Sequence, residues 1–178
     1  VWWDPSHHFV WYTPIETGRM AGTFARLAPF IDGYFRDAVG EGPTLAGFTA
    51  LATQKYPAFY LATRVKALRP GCQVVVGGAS CFPQYSPREI VRHPSVDYVV
   101  VGEGEHAIVE LARWIDGGAT GSLPAGVLSC RSDQERDIVA GAPRPLSRDL
   151  DWLPFPDFSG LPLDEYRDRG RLPIFSSR

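Results

Sequence analysis

The sequence predicts an α/β domain built on a doubly wound, mainly parallel sheet. Two features carry that prediction. Short continuous apolar runs alternate with helical stretches between residues 43 and 131, and each of the first three runs ends on small residues. Runs without polar alternation fit strands covered on both faces, and the strand–helix–strand spacing calls for right-handed parallel crossovers.

The elements follow in order. Residues 1–16 are aromatic and irregular, with Trp2, Trp3, Phe9, Trp11 and Tyr12 among prolines 5 and 14. An amphipathic helix comes next, because Phe24, Leu27, Phe30, Ile31, Tyr34 and Phe35 recur at three- and four-residue intervals. Residues 40–43 (GEGP) end it. Residues 44–50 (TLAGFTA) read as a buried strand. Pro57 suits the first turn of a helix that puts Leu61, Val65 and Leu68 on one face and stops at 69–71 (RPG). Residues 73–76 are a β-branched strand running into Gly77 and Gly78. Ser86-Pro87-Arg88-Glu89 has the form of a capping box for a short helix through Arg92. Residues 96–101 (VDYVVV) make a third strand that runs into 102–105 (GEGE). A helix over about 105–116 presents Ile108, Leu111, Ala112 and Ile115 and closes at Gly117-Gly118. Residues 126–130 are one more strand.

Beyond residue 131 the periodicity ends. Residues 132–171 hold five prolines (143, 145, 154, 156 and 162) among charges and read as a linker, and 172–178 (LPIFSSR) begin another strand. The organisation expected is therefore a segment 1–42 without a clear first strand, a core 43–131, a linker 132–171 and the start of a new unit at 172–178. The missing initiator Met and the abrupt end both point to a longer protein.

Composition excludes several classes. A net charge of −2 with scattered basic residues gives no electrostatic footprint for nucleic acid or an anionic membrane. No apolar run approaches the roughly 20 residues of a spanning helix, and residues 1–4 are not a signal peptide. The three cysteines, Cys72, Cys81 and Cys130, match no metal or redox spacing and read as reduced thiols of a cytoplasmic protein.

In doubly wound sheets ligands bind beyond the carboxyl ends of the strands. Three permissive turns fall there: Phe48-Thr49-Ala50, Gly77-Gly78-Ala79-Ser80 and Gly102-Glu103-Gly104-Glu105. Each also has a bland reading. A Gly-Gly after a strand serves as a tight turn, Glu105 and Glu103 suit capping and dipole compensation at a helix start, and Thr49 can satisfy a backbone group. What favours a ligand is that all three lie on one sheet edge. His7 and His8 near Asp4 lack a third metal partner, no cysteine has an evident base, and no GxGxxG, Walker-type loop or GxSxG elbow occurs.

Residues 73–118 resemble the cobalamin-binding domain that precedes the catalytic domain of cobalamin-dependent radical S-adenosylmethionine enzymes. The resemblance rests on a strand ending in Gly77-Gly78, a short helix, and an Asp-containing strand ending in GEGE at 102–105. It extends to 43–68, to the linker LDWLPFPDFSGLPLDEY (150–166), and to 172–178, which is similar to the first strand of the radical barrel. It implies a Rossmann-like domain with a corrin over the carboxyl edge. Phe48, Thr49 and Ala50 would face the corrin or its nucleotide tail, Gly77, Gly78 and Ala79 would make room for the tail, and Gly102, Glu103 and Gly104 would line its far end. On this reading Gly78→Val abolishes cobalamin uptake and leaves the fold intact. A DxHxxG loop supplying a lower histidine would precede the visible part, and the resemblance favours cobalamin held without one.

For the whole protein the resemblance implies a 4Fe-4S cluster and S-adenosylmethionine, with methylcobalamin as methyl donor to an unactivated carbon. The substrate, a small molecule or peptide, would be read by the barrel. The cluster cysteines are not in the sequence, so no catalytic or metal residue is assigned to this chain. The alternatives are a non-enzymatic flavodoxin-like or response-regulator-like module, which leaves the linker and final strand unexplained, and an empty scaffold of the cobalamin type.

Overall fold

In a computed structural model, the described residues are 45–51, 54–85, 87–131, 137–147, 151–155 and 157–160, together with 22–23, 25–30, 32–33 and 36. The expectations for residues 1–16 and 172–178, and for Ser86 as a cap, lie outside them. The chain divides into two units, Val1–Leu146 and Ser147–Arg178.

The first unit holds a five-stranded sheet in the order β1-β2-β3-β4-β5. Its strands are β1 (Leu45–Thr49), β2 (Gln73–Gly77), β3 (Tyr98–Val100), β4 (Val127–Arg131) and β5 (Asp137–Ala140). The first three are parallel, with Phe48 opposite Val76 and Val76 opposite Val99. They are joined through α1 (Lys55–Leu68) and α2 (Pro87–Val91), and α3 (Glu105–Asp116) leads from β3 to β4. The expected Rossmann-like α/β class is therefore present. The second half of the sheet departs from the parallel expectation. β4 runs antiparallel to β3, and β5 antiparallel to β4, within the stretch that the proline content suggested was linker. Hairpin pairing needs no crossover helix, so four residues suffice for β5 and leave no periodic signal.

Alternation along the strands divides the core in two. Val74, Val76, Val99 and Leu128 face α1 and α2, packing with Ala62, Val65, Ile90 and Val91. Val75, Tyr98, Val100 and Val127 face α3, where Ala107 and Leu111 are fully buried. Burying one such aliphatic side chain contributes about 1.5–3 kcal/mol, so both sheet faces are secured. The edge strand β1 is less covered, with Gly47 and Thr49 exposed and Ala50 just beyond it buried.

Polar groups fix the opposite, amino-terminal edge. Asp97 accepts the Val74 N–H at 2.6 Å and pairs with Lys66 Nζ at 2.6 Å, while Lys66 also donates to the Cys72 carbonyl at 2.8 Å. One carboxylate thus joins α1, β2 and the entry to β3. Residues 22–23, 25–30, 32–33 and 36 are helical, as the periodicity predicted. Asp32 of this helix meets α1: Tyr60 Oη donates to its Oδ1 at 3.2 Å, and Arg64 Nε lies 2.7 Å from the same oxygen. Leu27 and Phe30, on its apolar side, are exposed. Burial raises the Tyr60 hydroxyl pKa above its ordinary value, and the Asp32 charge adds to that.

In the second unit, the Asp157 carboxylate accepts the Ser159 N–H at 2.9 Å, and this bond holds its pKa below the usual carboxylate value. Phe155 there is almost wholly exposed.

Candidate functional site

Parallel register brings the carboxyl ends of β1, β2 and β3 side by side. Thr49 stands opposite Gly77, and the sequence-predicted residues Phe48, Thr49, Ala50, Gly77, Gly78, Ala79, Gly102, Glu103 and Gly104 all fall at this one edge. Backbone bonds lock the first two turns together. The Ala50 N–H donates to Gly77 O at 2.7 Å, and Ser80 N–H donates to Ala50 O at 2.9 Å. Phe48 is half-buried and packs into the core beside Val76, whereas Thr49 is exposed.

The glycines divide by what surrounds them. Gly78 has φ +97°, and a Cβ there would lie 2.9 Å from Thr49 Cγ2 and 3.0 Å from Ala50 O. The room it provides is already taken by the turn after β1, so a bulky residue at 78 strains the protein itself, and Gly78→Val does not separate loss of ligand from loss of stability. At Gly102, φ is +80° and a Cβ would meet nothing within 4 Å. Gly77 and Gly104 have only ordinary contact with Val100, at 3.8 and 3.7 Å. Gly104 caps α3 at its amino end without a side-chain cap bond. The open backbone at 77, 102 and 104, beside the exposed Thr49, fits a large, partly apolar group approaching the edge closely.

Some edge groups are not legible in the sequence. The antiparallel turn brings Gly126 here, its carbonyl accepting Val101 N–H at 2.7 Å. Arg144, in the supposed linker, donates through Nε to Ala125 O at 3.2 Å and pairs with Glu110 of α3. No periodic signal marked it. Leu51 and Tyr85, on the turns after β1 and β2, are exposed.

Two of the three thiols are buried. Cys81 is wholly buried below the Gly78 turn, and burial pushes its thiol up to about 12. Burial also raises Cys72, and all three cysteines are free. Among the described residues there is no group of three His, Cys, Asp or Glu able to hold a metal ion, and no helix long and apolar enough to cross a membrane.

Comparison with known proteins bears on the family and the fold. Residues 25–112 match the family model described as the B12 binding domain. An uncharacterised methyltransferase of Pyrococcus horikoshii is 32% identical over 130 residues, covering 72% of this chain and 27% of the relative. The radical S-adenosylmethionine methyltransferase TsrM of Kitasatospora setae, solved with tryptophan substrate and an S-adenosylmethionine analogue, shares the fold. The TM-score is 0.52 and the identity 24%, over 63% of this chain and 21% of that one. The chain thus spans about a quarter of the length of these two proteins. Together they support the resemblance to the cobalamin-binding part of cobalamin-dependent radical S-adenosylmethionine enzymes, with residues 25–112 matching the B12 binding domain.

Proposed function

We propose that this chain holds a cobalamin across the carboxyl edge of β1, β2 and β3 and serves a radical S-adenosylmethionine methyltransferase. The observation that carries the reading is the B12-binding match on a sheet whose strand ends carry the exposed Thr49, the open Gly102, and Gly77 and Gly104 without side chains. The Pyrococcus relative's name and the Kitasatospora structure support the methyltransferase assignment.

When bound, methylcobalamin supplies a methyl group for transfer to an unactivated carbon, a reaction the protein's own side chains cannot perform. The residues of this chain bind and orient. Thr49 offers an exposed hydroxyl to an amide of the corrin or its tail. Gly77, without a side chain at the end of β2, would make room for the nucleotide tail between the strands and the helices, while Gly78 keeps the adjoining turn compact. Gly102 and Gly104 let a ligand reach the backbone before α3, with Glu103 between them. A 4Fe-4S cluster and S-adenosylmethionine would be held by a neighbouring domain, which would also select a small-molecule or peptide substrate in the cytoplasm.

The test is the coding sequence after Arg178, followed by reconstitution of its full product with iron and sulfide. A Gly-Cys and a Cys-x-x-x-Cys-x-x-Cys pattern, with a cluster that cleaves S-adenosylmethionine, is the expected result. A stop codon or unrelated sequence would remove the catalytic half and leave a binding module.

A further inference from the structure

Two side-chain contacts tie α1 to the loop between α2 and β3. The His93 ring stacks on Phe59 of α1, with centroids 4.3 Å apart and the planes 10° from parallel. One turn further along α1, Thr63 Oγ1 and Ser95 Oγ share a hydrogen bond of 3.0 Å. The loop closes on the same histidine: the Ser95 N–H donates to His93 Nδ1 at 3.2 Å, and the Val96 N–H donates to His93 O at 2.9 Å. Ser95 and Val96 are buried, while His93 is half-buried. A backbone N–H can only donate, so Nδ1 must offer a lone pair, and the ring that fits is the neutral tautomer with its proton on Nε2. Phe59 also packs against the core cluster that holds Ala50, Cys81 and Val96, so this contact is continuous with the packing beneath the turns after β1 and β2.

The charged groups of the surrounding elements leave that preference in place. On α1, Lys55 lies over the Tyr56 ring, which stands edge-on to Phe59. Tyr60 and Arg64 of α1 meet Asp32, and Lys66 pairs with Asp97 of the loop. On α2 and just after it, Arg88, Glu89 and Arg92 are exposed. Glu89 favours a charged ring and the two arginines oppose it, but water screens all three, whereas the Ser95 N–H sits against the titrating nitrogen itself. A proton on Nδ1 turns that acceptor into a second donor. The imidazolium then gains attraction to the Phe59 face, which on a half-buried ring is the smaller effect beside a buried N–H left without an acceptor.

We propose that His93 is a proton-sensitive latch between α1 and the entry to β3. Neutral, it holds residues 93–96 against α1; protonated, it releases them. The stability it contributes is present above the ordinary histidine range, about pH 6.5, and is lost as pH falls through it, because the bond forms only with the neutral ring. The latch works whether or not the domain carries cobalamin.

The experiment is native-state amide exchange of the purified chain by NMR at about pH 7.5 and about pH 5.5, each rate corrected for its intrinsic pH dependence, with the His93 ring resonances followed in the same titration. Protection of the Ser95 and Val96 amides should fall about tenfold on acidification, over the same pH interval in which the His93 ring titrates, while Val75 and Val99 in the sheet hold theirs. His93→Phe keeps a ring against Phe59 and lacks the acceptor, so it should show the lower protection at both pH values. His106→Gln, at an exposed histidine of α3, should keep the full step. Equal protection of Ser95 and Val96 at the two pH values overturns the proposal. So does a step that persists in His93→Phe, or one that falls outside the His93 titration, since either gives the sensing to another group. The comparison on the unaltered chain decides the matter even where His93→Phe fails to fold.

Discussion

At the scale of single residues, a methyl group separates the glycines at the strand ends. In Gly78→Ala the new Cβ would press on Thr49 Cγ2 at 2.9 Å and Ala50 O at 3.0 Å in a backbone at φ +97°. This variant should lose about 1–3 kcal/mol of stability, read as a lower denaturation midpoint. Gly104→Ala meets only Val100 Cγ1 at 3.7 Å, at φ −96°. It should cost less than Gly78→Ala, about 0.5–1 kcal/mol from the weaker capping by Ala, so a larger fall in cobalamin affinity there would report on the ligand. Equal losses of stability in the two variants would contradict this division. The Gly-Gly pair was legible in the sequence as a permissive turn. Which of its members is hemmed in by protein was not, because that depends on where the turn after β1 comes to lie.

At the scale of elements, Asp97 is the clearest support of the sheet. Asp97→Ala leaves the Val74 N–H and the Lys66 ammonium without their shared acceptor at one end of β2. A cost of about 1–3 kcal/mol is expected, with faster amide exchange at Val74. A variant as stable and as protected as the parent would show that the strand pairing holds unaided. β1, β2 and β3 were legible because their apolar runs are long and end in small residues. The antiparallel sense of β4 was not, since a strand's direction is set by its pairing and not by its own residues. β5 was hidden by its shortness and by the prolines at 143 and 145 that follow it. The helix near 22–36 was legible as a helix, and the meeting of Asp32 with Tyr60 and Arg64 of α1 was not, because no spacing marks a single polar contact.

At the scale of the whole molecule, a sheet with helices on both faces places three strand ends on one open edge, and the B12-binding match covers all three parallel strands. On the proposed reading these strand ends hold the cofactor. The most direct test of the account is therefore equilibrium titration of the purified protein with hydroxocobalamin. The account predicts saturable one-to-one binding with a Kd in the micromolar range or tighter, lowered in affinity by Gly104→Ala. No binding under these conditions would contradict it and leave the domain an empty scaffold of the cobalamin type.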